Sequence, residues 1–144
     1  MYTIYLAGEI HSNWREEIIN DCKDLNITFL TPENDHSSSD DIGKNVIRDQ
    51  GSDFYNDHVS AKINSMRNLT YLKRADIVVV KFGEKYKQWN VAYYAGYADA
   101  LNKDLIVIHP QEFIRALKEI DASASAIVEN ESQVVDIFKH LVRK

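Results

Sequence analysis

The chain carries a single cysteine, Cys22. No disulfide can close within it, which fits a reducing compartment. Long apolar runs are missing too: nothing approaches the ~18 residues that a membrane-spanning helix needs. The opening Met1 to Ala7 has no basic region before it, and Glu9 arrives too soon for a secretory leader. Positive charge is in deficit, with 17 Lys and Arg against 22 Asp and Glu and a net charge of -5. That argues against a polymeric nucleic acid as partner, because counterion release needs a positive footprint. A small nucleotide, which needs only a few local donors, stays open. These absences predict a cytoplasmic protein with no membrane contact.

Several motifs are absent as well. No G-x-G-x-x-G follows the first apolar run, and no G-x-x-x-x-G-K-[ST] loop occurs, which removes the usual dinucleotide and P-loop chemistries. There is no H-E-x-x-H and no paired C-x-x-C, so a dedicated zinc site is not indicated. The acidic stretch from Asp35-His36 to Asp40-Asp41 could hold a cation, but ordinary loop polarity explains it equally well. No G-x-S-x-G elbow is present. No cofactor is therefore expected.

What is present is an alternation of strand-like and helix-like segments. With 144 residues, the chain is expected to form one domain over residues 1–144, burying roughly 70% of its unfolded surface. Strand-like runs cover Tyr2 to Ala7, Ile27 to Leu30, Ile77 to Phe82, Leu105 to Ile108 and, more weakly, Ala126 to Val128. Ile77 to Val80 shows no alternation, as expected of a central strand covered on both faces. Between the runs lie helical patterns, so the class is α/β with a parallel sheet.

The first helix presents Trp14, Ile18, Cys22 and Leu25, capped from Ser12 or Asn13 with Glu16 completing a capping box. Cys22 is thus a core residue. A second helix presents Val59, Ile63, Met66, Leu69 and Leu72. A third carries Trp89, Ala92, Tyr93, Gly96, Tyr97, Ala100 and Leu101, and Trp89, Tyr93 and Tyr97 are expected in the core. The last starts at a Ser132 cap and runs through Val135, Phe138 and Leu141, with His140 solvated near the terminal carbonyls. From Glu33 to His58 the pattern fails. That polar stretch is expected to be a functional loop or lid, or disorder, with a short helix around Ile42 to Ile47.

Ligands of open parallel sheets bind beyond the strand carboxyl ends. The rule selects Gly8-Glu9-Ile10-His11, Thr31-Pro32-Glu33-Asn34, Gly83 to Asn90, and His109-Pro110, which hold the candidate polar groups Glu9, His11, Glu33 and Glu84. His11 either caps and solvates the first helix or, held by Glu9, protonates a leaving group.

Certain strings carry a family likeness. Tyr5-Leu6-Ala7-Gly8 with Trp14, Pro32, Arg74-Ala75-Asp76, Ala95-Gly96-Tyr97-Ala98 and Lys103 resemble the nucleoside 2-deoxyribosyltransferases. GEIHSNWREEI (Gly8 to Ile18) and FGEKYKQWN (Phe82 to Asn90) resemble the YtoQ branch in particular. The resemblance implies a flavodoxin-like doubly wound five-stranded parallel sheet in the order 2-1-3-4-5. It also implies chemistry at the N-glycosidic bond of a nucleoside or nucleotide, and a homo-oligomer that completes each site from a neighbouring subunit.

In those enzymes a glutamate near the G-Y-A motif attacks the sugar, and two aspartates position base and sugar, in the manner of a retaining glycosidase. Here the matching positions hold Tyr94, Gln88 and Asn68, all neutral, while Tyr5 matches as it stands. Three readings follow. Glu9 or Glu84 replaces the carboxylate, or the Tyr94 phenol becomes the nucleophile with Glu9 as its base. Alternatively the chain is a nucleoside-binding module without the chemistry, or it binds no small ligand at all. Asn90 and Tyr94, four apart on one helix, and Tyr86 are expected to touch a ligand, and Tyr5, Gly8, Glu9, Asn90 and Tyr94 to share one cleft.

Overall fold

The computed structural model describes residues 1–33, 35–85 and 89–143, with the side chains at 36 and 37 left aside. Five parallel strands form one sheet in the order β2-β1-β3-β4-β5: β1 Tyr2–Gly8, β2 Ile27–Leu30, β3 Ile77–Lys81, β4 Asp104–Ile108 and β5 Ala126–Val128. The helices are α1 Trp14–Asp21, α2 His36–Asp40, α3 Ile42–Ile47, α4 Asp53–Arg74, α5 Asn90–Ala100, α6 Lys118–Ser123 and α7 Glu131–Leu141. The expected strand order and α/β class hold.

Strand geometry sorts side chains by parity. Ile4 and Leu6 of β1, Ile77 and Val79 of β3, and Ile106 and Ile108 of β4 point to one face, where Trp14, Ile18, Cys22 and Phe138 cover them. Tyr5, Ala7, Val78, Val80, Leu105 and Val107 point to the other, under Leu72, Val91, Ala95 and Ala98. Both faces are apolar, which is why the central strands show no alternation. Each fully buried aliphatic or aromatic side chain contributes ~1.5–3 kcal/mol. Register aligns Gly8 with Lys81 and Tyr5 with Val78 and Leu30. The carboxyl ends of β1 and β3 therefore finish level, at the switch in strand order. Among the described residues no helix is long and apolar enough to cross a membrane.

Five local expectations are corrected. The Glu33 to His58 stretch is largely helical, comprising α2, α3 and the start of α4, and α3 falls where a short helix was expected. It packs tightly because Gly43 has no side chain: a Cβ there would sit 2.8 Å from the Ser60 backbone nitrogen and 2.8 Å from Val59 Cγ1. Asn13 starts α1 with no side-chain cap bond. At α7 the cap is Asn130 rather than Ser132, its side chain accepting from the Gln133 N–H.

The fourth and fifth corrections concern buried faces. On α5 it is Val91, Ala95 and Ala98 that are buried, with Tyr94 and Tyr97 packed beside them, whereas Trp89 and Tyr93 are 80% and 55% exposed. A helix apolar almost all round leaves its buried side to be chosen by fit, and small alanines allow the close approach to β3 and β4. On α4 Met66 is exposed, while Ser60 and Asn68 are buried. That polar side faces a cavity.

Candidate functional site

The site begins at the end of β1. Gly8 has φ of +146°, and a Cβ there would lie 3.0 Å from Trp14 Cζ2 and 3.2 Å from the Lys81 carbonyl oxygen. Only glycine adopts this turn without strain. Arg15, 1% exposed, locks it. Its Nε donates to the Leu6 carbonyl (2.9 Å), Nη1 to the Glu9 carbonyl (2.6 Å) and Nη2 to the Gly8 carbonyl (2.7 Å). Its guanidinium carbon lies 4.6 Å from the Trp14 ring centroid. Burial pulls the Arg15 pKa down to about 10 against the opposing influence of Tyr5, Glu9 and Glu16. Sequence reading missed this residue, although its place three before Ile18 puts it at the edge of the core stripe.

Glu9 then turns away. Its carboxylate accepts the His11 N–H at 2.6 Å, the Ser12 N–H at 3.0 Å and the Ser12 hydroxyl, so it closes the loop that leads into α1. Burial alone would raise this carboxyl; the Ser12 and His11 hydrogen bonds, with the Arg15 charge, outweigh it and hold the pKa below the ordinary value. The observed contact between Glu9 and His11 thus runs through the His11 backbone. Glu9 lines a smaller hollow of about 360 Å³ together with Ser12, Lys81, Glu84 and His109.

The main cavity, about 630 Å³, opens on the other side of the β1 end. Tyr5 and Gly8 contribute from β1 and its turn, His11 from the following loop, Glu33 from beyond β2, and Asn90, Tyr93 and Tyr94 from α5. One side of α4 supplies Asp57, Ser60, Asn64, Arg67 and Asn68. The spacing of Ser60, Asn64 and Asn68, four apart, is a helical stripe of polar residues that sequence reading passed over in favour of the apolar one.

The cavity floor is neutral. Asn68 Nδ2 donates to the Tyr94 hydroxyl at 3.1 Å, and the Tyr5 ring stands at 90° to the Tyr94 ring with centroids 6.4 Å apart. The Tyr5 hydroxyl is buried with no hydrogen-bond partner among the described residues. Burial, then the neighbouring Tyr94 phenol, push its pKa up, so it keeps its proton and can donate a hydrogen bond at any physiological pH.

Of the residues singled out from sequence, Tyr5, Gly8, His11, Asn68, Asn90 and Tyr94 line this one cavity, and Glu9 lines the adjoining hollow instead. The expected single cleft thus loses Glu9, because the Ser12 and His11 donors hold its carboxylate on the far side of the turn. Tyr86 and Gln88 lie outside the described residues.

The sequence matches the family described as Nucleoside 2-deoxyribosyltransferase YtoQ over residues 5–142. The chain belongs to this family. It is 42% identical over 142 residues to YtoQ of Bacillus subtilis (strain 168), covering 97% of this chain and 96% of that protein. Solved structures share the fold. A 2-deoxyribosyltransferase from Bacillus psychrosaccharolyticus matches with a TM-score of 0.61 and 21% identity, covering 93% of this chain and 90% of that one. A conserved protein from Enterococcus faecalis V583 matches with 0.66 and 15%, covering 98% and 99%. The CMP N-glycosidase BcmB of Clostridium botulinum matches with 0.57 and 13%, covering 95% and 98%. Asn68 and Tyr94, which meet at the cavity floor, are a neutral amide and a phenol.

Proposed function

We infer that this protein is a nucleoside 2-deoxyribosyltransferase-like protein that holds a nucleoside or nucleotide in the main cavity, with the N-glycosidic bond over Tyr5, Asn68 and Tyr94. The observation that carries the reading is the Tyr5 hydroxyl, buried at the cavity floor and lacking a partner among the described residues. An unsatisfied buried hydroxyl costs free energy unless a ligand completes it. Asn68 donates to the Tyr94 oxygen, which leaves the Tyr94 proton directed to a further acceptor. Such a floor offers donors to sugar and base oxygens. It offers no carboxylate to attack the anomeric carbon, so binding is favoured over base exchange.

Replacing Tyr5 by phenylalanine tests this. Removing the orphan hydroxyl should leave the empty protein as stable or up to ~1 kcal/mol more stable, while ligand affinity falls by about tenfold. Thermal shift of the free protein and a titration with nucleosides and nucleotides give the two readouts. A Tyr5→Phe protein that binds every such ligand as well as the parent chain, or a parent chain that binds none, would overturn the reading.

A second reading is hydrolysis of the same bond. Asp57, Asp40 and Glu33 line the same cavity and can activate a water from its mouth. In the first reading a second copy of the chain covers α5, since Trp89 at its start and Tyr93 at the cavity stand exposed and a Cβ at Gly96 would meet nothing within 4 Å. Light scattering at micromolar concentration is expected to give a multiple of 16.6 kDa. A monomer would remove the partner from the site.

A further inference from the structure

We propose that the cavity selects a phosphorylated ligand, a nucleoside monophosphate over the free nucleoside, and that Arg67 is the residue that reads the phosphate. The proposal rests on the nucleoside-site reading and adds the charge of the ligand. Arg67 precedes Asn68 on α4, half-buried, at the margin of the neutral floor. Its Nη2 donates to Asn64 Oδ1 at 3.2 Å and its Nε to Asn68 Oδ1 at 3.4 Å. Both acceptors are uncharged amide oxygens at long range. The ion pairs among the described residues are Lys81 with Glu131 and His109 with Asp121, and neither involves Arg67.

A charge taken partly out of water without a counter-ion is costly. In a chain with 22 acidic residues against 17 basic ones, leaving this arginine to two amides is a choice that an anionic ligand explains. The guanidinium has five N–H donors in a planar fork. With two engaged, the others remain for the paired oxygens of a phosphate.

Charge along the cavity wall supports the same orientation. Asp57 lies ten residues before Arg67 on the same helix, about 15 Å away along its axis. Asp40 is set by its carbonyl, which accepts the Ser60 hydroxyl at 2.6 Å, seven residues or about 10 Å before Arg67. Glu33 accepts the Asp35 N–H at 3.1 Å within its own loop. Acidic groups thus cluster toward α2 and the start of α4, and the cation stands beside the floor. Acids at 68 and 94 would repel a phosphate there; Asn68 and Tyr94 do not. Neutral side chains at 68 and 94 thus leave the floor tolerant of an anion.

Isothermal titration at fixed salt decides the matter, using the full chain, its Arg67→Gln and Arg67→Lys variants, 2′-deoxynucleosides and ribonucleosides, their 5′-monophosphates, ribose 5-phosphate and inorganic phosphate. Monophosphates should bind about tenfold to a hundredfold more tightly than their nucleosides. The advantage should vanish in Arg67→Gln, return in part in Arg67→Lys, and shrink as salt screens the contact. Ribose 5-phosphate binding that depends on Arg67 supports the phosphate role. Equal affinity for nucleoside and monophosphate, or an advantage that survives Arg67→Gln, overturns the proposal and leaves the nucleoside site standing. Loss of nucleoside affinity alone in Arg67→Gln would mean that the arginine reads the base, and overturns it too. Binding of neither class overturns both readings. Should Arg67→Gln fail to fold, Arg67→Lys and the affinity ratio of the parent chain still decide.

Discussion

Installing Tyr94→Glu together with Asn68→Asp is expected to produce base exchange between deoxynucleosides at a rate the unmodified chain does not reach. The two side chains already touch, Asn68 Nδ2 lying 3.1 Å from the Tyr94 hydroxyl at the cavity floor. Glutamate is shorter than tyrosine, so the two new carboxyl groups would face each other across a gap, where like charge favours keeping one protonated while the other is charged. That is the division of labour a retaining glycosyl transfer needs, a nucleophile beside an acid. A correctly placed charged group commonly contributes about a hundredfold or more in rate. Incubation with deoxyinosine and adenine, with deoxyadenosine followed by chromatography, gives the answer. A double variant that folds and binds nucleosides but shows no exchange would mean that position 94 does not face the anomeric carbon. Brisk exchange by the unmodified protein would place the reactive group elsewhere.

The second large effect concerns the frame under the site. Arg15→Met keeps the bulk but leaves the Leu6 and Gly8 carbonyls without the donors that now reach them at 2.9 and 2.7 Å. Each orphaned buried acceptor costs ~1–3 kcal/mol, so a loss of about 3–5 kcal/mol is expected. For a chain of this size that is a fall of roughly 10 °C in melting temperature. A loss below ~1 kcal/mol would show that water replaces the guanidinium.

Glu9→Gln, on the same turn, should cost less and depend on pH. The folded chain holds the Glu9 carboxyl below its ordinary 4.5, so the stability it provides is full above that value and lost as the pH falls through the folded one. The gap between parent and variant should therefore narrow on acidification below pH 4.5.

The sequence and the structure part company at identifiable places. Strand positions were legible because β1, β3 and β4 are apolar on both faces and separated by clear helical periods, and α3 was legible from its apolar ends in a polar stretch. The buried side of α5 was not, because a helix with Val91, Tyr93, Tyr94, Ala95 and Tyr97 presents apolar groups in nearly every direction. Packing against β3 and β4 selected the small residues and left Trp89 and Tyr93 outside. Glu9 looked catalytic since it follows a strand end; its carboxylate is turned aside by donors only two and three residues away.

Much of the site's composition can be read from the chain alone: the motif positions that resemble the YtoQ family, the neutral residues at 68, 88 and 94, and the turn at Gly8 are all local. Which of them meet is a tertiary matter. Asn68 and Tyr94 stand 26 residues apart, and only the docking of α4 and α5 over β1 brings them together above the Tyr5 phenol. The placing of Arg67, the Tyr5 hydroxyl left unpartnered among the described residues, and the separation of acids from the floor exist as properties of that arrangement, because charge and solvation depend on distance between groups and not on their order along the chain.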